Sequence, residues 1–148
     1  MKIHLVIRYI LLCSLSVMLS SCAFNPATGT PDIVMMSESR EIEIGKEMFE
    51  KIKKSMPLYE DEKILAYVNE IGQKVAKAGD RPDLEYQFII IDSPDINAFA
   101  LPGGFIMINR GLLAFLNSEA QLAAVLAHEV GHVTARHAVR QDAAKTGA

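Results

Sequence analysis

The sequence is short of several residue types, and these shortages exclude some classes of protein. Its 148 residues include no tryptophan and only two cysteines, and acidic residues outnumber basic ones by 18 to 15. A protein that binds nucleic acid through phosphate contacts normally carries a surplus of basic residues, so we expect no nucleic-acid partner. Apolar residues at 50% and charged residues at 22% are typical of a globular protein.

The sequence also lacks an apolar run long enough to span a membrane. Lys2 and Arg8 give the first residues a positive charge, and residues 9–24 form an uncharged, mostly apolar stretch of 16 residues. A membrane-spanning helix needs about 20 such residues. The pattern therefore favours a secretory signal peptide over residues 1–21, although an uncleaved membrane anchor is an alternative.

The signal peptide ends in the order Leu19, Ser20, Ser21 and Cys22. This order resembles the lipobox of bacterial lipoproteins, in which small residues precede a cysteine that is lipidated. The resemblance implies lipid attachment at Cys22 and a location in the periplasm, and Ala23 after it favours the outer membrane. An ordinary signal peptide with a chance cysteine is the alternative. Because Cys13 would leave with the signal peptide, the mature chain would have no thiol for a disulfide.

The rest of the chain divides into a tether and one folded unit. Residues 22–36 contain two prolines and few charges, which indicates a lipidated tether. Helix caps and apolar spacing then predict helices over about 38–54, 62–78 and 111–116, with Ser37 and Asp61 as N-caps. Alternating side chains predict a strand over 84–90. Residues 97–101 and 105–109 flank a Pro-Gly-Gly sequence that is typical of a type II turn, so they form a candidate hairpin.

A longer helix, capped by Ser118, is predicted from Glu119 to at least Val139. It contains the sequence HEVGH, in which His128 and His132 are one helical turn apart. This spacing points both imidazoles at the same place, where they can share one Zn²⁺ ion. Glu129 lies beside them and can act as the general base of a peptidase.

The same helix does not supply a third metal ligand. On a continuous helix, His137 would lie about 180° away from His128, so we expect it to pack or to form a hydrogen bond elsewhere. A catalytic zinc ion normally has three protein ligands and a water molecule. The sequence therefore provides two ligands and leaves the third unassigned.

Three stretches together resemble a known family. They are residues 41–45 (EIEIG), residues 92–113 (DSPDINAFALPGGFIMINRGLL) and residues 119–137 around HEVGH. They are similar to the HtpX-like and BepA-like branch of the CaaX-prenyl-protease-type zinc metallopeptidases, which are gluzincins. With the lipobox, the nearest kin would be periplasmic lipoproteins that act in outer-membrane protein quality control.

The resemblance implies an α+β fold: a mainly helical, zincin-like domain with a small antiparallel sheet or hairpin beside the HEVGH helix. It implies Zn²⁺ held by His128 and His132, with Glu129 as general base. It places the third ligand, a glutamate, several dozen residues further on, so we expect residues 37–148 to be the N-terminal part of the catalytic domain. It also suggests that an edge strand pairs with extended substrate through Asn97, Ala98, Phe99 and Ala100; a buried hairpin without substrate contact is the alternative.

The expected function is zinc-dependent hydrolysis of peptide bonds in misfolded or unassembled envelope proteins. Polypeptides would then be the substrates, and the N-terminal lipid would be the membrane contact. Two alternatives are a non-catalytic, chaperone-like or binding lipoprotein and an inactive, truncated peptidase.

Overall fold

The computed structural model of the protein describes residues 36–146 and the side chains of residues 36–141. The predicted signal peptide, Cys22 and all of the predicted tether except Met36 lie outside the described residues. In the described part of the chain, none of the helices combines the length and the apolar character that crossing a membrane requires.

The described residues form five helices, three strands and a short 3₁₀ turn. In chain order they are α1 (Glu38–Ser55), α2 (Glu62–Lys77), β1 (Gln87–Ile91), β2 (Ala98–Ala100), the turn (Pro102–Gly104), β3 (Phe105–Asn109), α3 (Arg110–Phe115), α4 (Glu119–Thr134) and α5 (His137–Thr146). The predicted N-caps Ser37, Asp61 and Ser118 each accept a hydrogen bond from a backbone N–H of the following helix. These bonds satisfy donors that a helix leaves free at its start. The α+β prediction is confirmed.

The sheet has the order β1-β3-β2, with β3 in the middle. The predicted hairpin is present, because β2 pairs antiparallel with β3. However, β1 pairs parallel with β3, so the sheet is mixed, whereas an antiparallel one was expected. The chain leaves β1, crosses to the far edge as β2 and then turns back into the middle. Two reversals of direction make β3 parallel to β1.

The turn between β2 and β3 depends on glycine. Gly103 has φ +73° and ψ +18°, the values of the third residue of a type II turn, and Gly104 has φ +93°. The backbone N–H of Leu101 donates to the carbonyl of Phe105 at 2.8 Å and closes the hairpin. A Cβ atom at Gly45 of α1 would overlap the carbonyl oxygen of Pro102. Helix α1 therefore packs directly against the turn.

The sheet lies between two helical layers. Successive side chains of each strand point to opposite faces of the sheet, so they pack alternately against one layer and the other. Buried residues on one face contact α2 and α4, among them Phe88, Ile90, Ile106 and Ile108. On the other face, buried Ile91, Leu101, Phe105 and Met107 contact Phe49 and Ile52 of α1. The β3 side chains are buried on both faces, so this strand forms the centre of the core.

The two edges of the sheet differ. A short segment covers the outer edge of β1: Tyr59 N–H donates to Ile90 O, and Asp92 N–H donates to Pro57 O, each at 2.9 Å. Among the described strands, none pairs with the outer edge of β2. The backbone groups of Asn97 and Leu101 form hydrogen bonds with β3. Backbone groups alternate in direction along a strand, so the N–H and C=O groups of residues 98 and 100 point away from β3.

The prediction of one continuous helix from Glu119 to at least Val139 is wrong. Helix α4 ends at Thr134, Arg136 has φ +54°, and α5 begins at His137. A left-handed backbone is uncommon for a residue other than glycine, so Arg136 needs support from elsewhere. Its guanidinium lies 3.1 Å from the Glu41 carboxylate and donates to the Met36 carbonyl at 2.6 Å. These distant partners explain why the helix breaks there.

Candidate metal centre

The HEVGH residues converge on one side of α4. The Nε2 atoms of His128 and His132 are 3.0 Å apart, and the two rings meet nearly edge to face. This arrangement follows from the four-residue spacing, which stacks the side chains one turn apart. The two imidazoles thus direct equivalent nitrogen atoms at the same small volume.

This donor pair fits zinc. Zn²⁺ binds imidazole nitrogen at about 2.0–2.1 Å, which places two ligands on one tetrahedral ion about 3.3 Å apart. The observed separation of 3.0 Å requires only a small adjustment of the rings. Imidazole is also a preferred ligand class for this metal. His128 and His132 therefore have the chemistry and the spacing to hold Zn²⁺.

Glu129 lies in a cavity beside the histidine pair. The cavity has a volume of about 300 Å³, and its walls include His128, Glu129 and His132 from α4 and residues 98–101 from β2 and its end. Glu129 is only 6% exposed, whereas His128 is exposed and His132 is half-buried. A carboxylate enclosed next to two imidazoles can accept a proton from a water molecule bound between them.

The predicted substrate-binding residues lie at the same cavity. Ala98, Phe99 and Ala100 are half-buried and form part of its wall. Asn97 is exposed and is not among the lining residues; its carbonyl accepts a hydrogen bond from Asn109 N–H at 3.0 Å. The edge of β2 that pairs with none of the described strands therefore borders the same cavity as the histidine pair.

His137 is placed differently from the prediction. A continuous helix would have turned it away from His128, but the break after Thr134 brings it back to the site. Its Nδ1 atom lies 2.7 Å from Nδ1 of His132, and their ring centroids are 4.9 Å apart. We expected His137 to pack or to form a hydrogen bond elsewhere, but its partner is the candidate ligand His132.

A buried ion network connects this region to α1. Glu41 is fully buried, and its carboxylate lies 3.1 Å from both Arg81 and Arg136. It also accepts a hydrogen bond from the backbone N–H of Gly103, while Arg81 donates to the carbonyl of Val133. Burial alone would lower the pKa of Arg81, but hydrogen bonds and charges from Glu41 and Glu38 outweigh it and raise the pKa. The network ties α1, the hairpin turn and the end of α4 together.

No third ligand joins the pair within the described residues. In that part of the chain, His, Cys, Asp and Glu side chains form no group of three that could hold a metal ion. His137 does not complete one, because its contact is with the Nδ1 side of His132 and not with the Nε2 side. The third ligand stays unassigned.

A second, larger cavity of about 550 Å³ lies between α2, α3 and the start of α4. Apolar residues such as Val68, Leu113 and Leu122 form much of its wall, and Glu119 at its rim accepts a hydrogen bond from Tyr67. None of the candidate metal ligands lines it. The candidate site is therefore chosen by its chemistry and not by the size of its cavity.

Comparison with known proteins supports a peptidase site at the HEVGH helix. Residues 63–148 match the model of peptidase family M48. The chain belongs to this family. The resemblance to metallopeptidases of this kind is thereby confirmed, and the M48 match includes the HEVGH helix and the β2–β3 hairpin.

Several known proteins are similar over half of the chain or more. The beta-barrel assembly-enhancing protease of Escherichia coli (strain K12) is 32% identical over 115 residues, which is 78% of this chain and 24% of that protein. A putative beta-barrel assembly-enhancing protease of Vibrio cholerae is 30% identical over 134 residues, 87% of this chain and 28% of that protein. The mitochondrial metalloendopeptidase OMA1 of Schizosaccharomyces pombe is 37% identical over 75 residues, 51% of this chain and 22% of that protein. The chain thus spans about a quarter of each relative.

Sequence reasoning did not assign two residues, Glu41 and His137, to this region. Glu41 was included only in the stretch 41–45 that carries the family resemblance, with no role of its own. Its spacing of four residues from Gly45, which packs on the turn, was a signal that both lie on the buried face of α1. His137 had no such local signal, because its position depends on the break at Arg136.

Proposed function

We propose that this M48 chain is part of a zinc-dependent endopeptidase that cleaves misfolded or unassembled envelope proteins. The observation that carries the proposal is the pairing of two imidazole Nε2 atoms, 3.0 Å apart, with a buried glutamate beside an open strand edge. The relatives named as beta-barrel assembly-enhancing proteases support outer-membrane proteins as the substrate class. Polypeptides are therefore the partners we propose.

In this mechanism, His128 and His132 would hold Zn²⁺ together with a third ligand that the described residues do not supply. The metal, when bound, polarises the scissile carbonyl and lowers the pKa of the attacking water. Glu129 accepts a proton from that water and then donates it to the departing amine. The edge of β2 aligns the substrate backbone along the cavity. Burial of Glu129 keeps its carboxylate close to the reacting atoms and limits competing water.

The location we propose follows from the first residues of the sequence. After cleavage of residues 1–21, Cys22 would carry the lipid, and the protein would be anchored to a membrane facing the periplasm. Ala23 favours the outer membrane. Lipid anchoring would keep the catalytic domain near newly exported barrel proteins.

Removal of zinc tests the proposed function directly. We expect the full-length protein to cleave an unfolded outer-membrane β-barrel protein, to lose this activity after chelation and to regain it with stoichiometric Zn²⁺. Mass spectrometry of the products would locate the cleaved bonds. Stoichiometric zinc without any cleavage would contradict the peptidase proposal and favour the chaperone-like alternative. Cleavage that persists after complete removal of metal would contradict the zinc mechanism.

A proline at position 100 tests the role of the β2 edge. Ala100→Pro removes an N–H group that points away from β3, so the hairpin should remain intact. One backbone hydrogen bond contributes about 0.5–1.5 kcal/mol, so we expect kcat/KM on extended peptides to fall by about 2- to 13-fold. The measurement is steady-state cleavage of a fluorogenic peptide.

Ala100→Ser is the matched control for this substitution, because it retains the N–H group and adds little volume. It should cleave the peptide as the unmodified protein does. Thermal melting should be similar for both variants. If Ala100→Pro cleaves as fast as Ala100→Ser, the β2 edge does not bind the substrate backbone.

A further inference from the structure

The two ring nitrogens of His132 have different neighbours. Its Nε2 atom faces Nε2 of His128 at 3.0 Å, and its Nδ1 atom faces Nδ1 of His137 at 2.7 Å. Two nitrogen atoms at 2.7 Å form a hydrogen bond only if one donates and the other accepts. A neutral imidazole that offers Nε2 to a metal carries its hydrogen on Nδ1. His132 is then the donor, and His137 is the acceptor.

We propose that His137 is a positioning residue for the metal ligand His132. By accepting the Nδ1 hydrogen, it fixes the orientation of the His132 ring and selects the tautomer whose Nε2 lone pair faces His128. Metal-binding histidines commonly donate their second ring N–H to such a partner, which also strengthens them as ligands. The inference rests on the proposed function, because it assigns His137 a role only at a site that binds zinc.

The break between α4 and α5 builds this contact. On a continuous helix, residues 132 and 137 would be rotated by about 140° from each other, so their rings could not meet nitrogen to nitrogen. The left-handed backbone of Arg136, with φ +54°, redirects the chain immediately before His137. The N–H of Arg136 still donates to Val133 O at 3.0 Å, so the turn is closed as well as sharp.

Long-range contacts hold the break in place. The guanidinium of Arg136 lies 3.1 Å from the buried Glu41 carboxylate and donates to the Met36 carbonyl at 2.6 Å. Glu41 in turn binds Arg81, which donates to Val133 O in the last turn of α4. The start of α5 is therefore fixed relative to the histidine helix from two directions. A partner that orients a ligand needs this rigidity.

The alternative roles of His137 fit the geometry less well. A third zinc ligand would have to approach the Nε2 atoms of His128 and His132, but His137 offers its nitrogen to the opposite side of the His132 ring. A residue that only fills space would be buried, whereas His137 is exposed and lies at the wall of the same cavity. The nitrogen-to-nitrogen contact is its specific feature.

Two substitutions separate positioning from packing. His137→Phe retains an aromatic ring but removes the acceptor, and His137→Asn retains an acceptor oxygen near the position of Nδ1. In the full-length protein, competition with a chromogenic chelator gives the Kd for Zn²⁺, and thermal melting of the metal-free forms reports the fold. We expect Kd to rise by about 10–100-fold in His137→Phe and to change less than about threefold in His137→Asn.

The outcomes distinguish this inference from the proposed function, with His128→Ala as the reference for loss of a ligand. If the unmodified protein binds zinc and His128→Ala loses it, but His137→Phe binds as tightly as the unmodified protein, the inference alone is overturned. Equal weakening in both His137 variants would also overturn it. If the unmodified protein binds no zinc, the proposed function fails and the inference fails with it. We also expect the metal-free forms of both His137 variants to melt at the same temperature as the unmodified protein, because the substitutions should change zinc binding and not the fold.

Discussion

Replacing Glu129 by glutamine should reduce peptide cleavage by at least about 100-fold and leave the bound zinc in place. Glutamine has the shape of glutamate but cannot accept a proton from the attacking water, so the general-base step is lost. General acid–base catalysis typically contributes 10²–10⁴-fold, and we expect kcat/KM to fall within this range. The measurements are peptide cleavage and the zinc content of the purified full-length protein.

Glu119→Gln is the matched control, since it makes the same chemical change at the first residue of the same helix. Glu119 accepts a hydrogen bond from Tyr67 and does not line the cavity that holds Glu129. Its substitution should leave cleavage unchanged. A Glu129→Gln variant that cleaves at the unmodified rate would refute the mechanism. Loss of zinc from that variant would instead assign Glu129 a role in forming the site.

The sequence was sufficient to predict those parts of the site that depend on local spacing. His128 and His132 meet because they are four residues apart on a helix, and the N-cap Ser118 marks where that helix begins. The Pro-Gly turn before β3 was equally local, because proline favours a φ of about −65° and glycine accepts the positive φ that Gly103 adopts. These features needed no information about distant parts of the chain.

The features that were predicted wrongly depend on contacts between distant residues. No glycine or proline lies between Gly131 and His137, so the sequence shows no helix stop near Arg136. The break arises because Arg136 reaches Glu41, which lies 95 positions earlier in the chain. The parallel pairing of β1 with β3 was missed for a similar reason, since alternation assigns the faces of a strand but not its neighbours.

The position of His137 follows from the same long-range contact. On a continuous helix, His137 would point away from His128. The helix is not continuous, so that prediction does not apply. Once the helix breaks, the ring of His137 comes within hydrogen-bond distance of His132. A buried charge on one helix can therefore determine which residues assist a metal ligand on another.

Substitution of Glu41 by glutamine should destabilise the domain strongly. It removes the negative charge between Arg81 and Arg136, whose side chains are only 11% and 12% exposed. Breaking a buried ion pair by removing one partner costs about 3–5 kcal/mol, because the remaining charge stays out of water. For a domain of this size, we expect the melting temperature to fall by more than about 10 °C. Thermal unfolding followed by circular dichroism measures this change.

Glu43→Gln separates burial from the general loss of a salt bridge. Glu43 lies on the same helix and pairs with Arg40, but both side chains are more than half exposed. Exposed pairs contribute little, so this variant should melt close to the unmodified protein. Because Glu41 anchors Arg136, Glu41→Gln should also weaken zinc binding at a temperature where the domain is still folded, and Glu43→Gln should not. Equal melting temperatures of the two variants would show that the buried network does not stabilise the domain. Unchanged zinc affinity in folded Glu41→Gln would show that the helix break holds His137 in place without it.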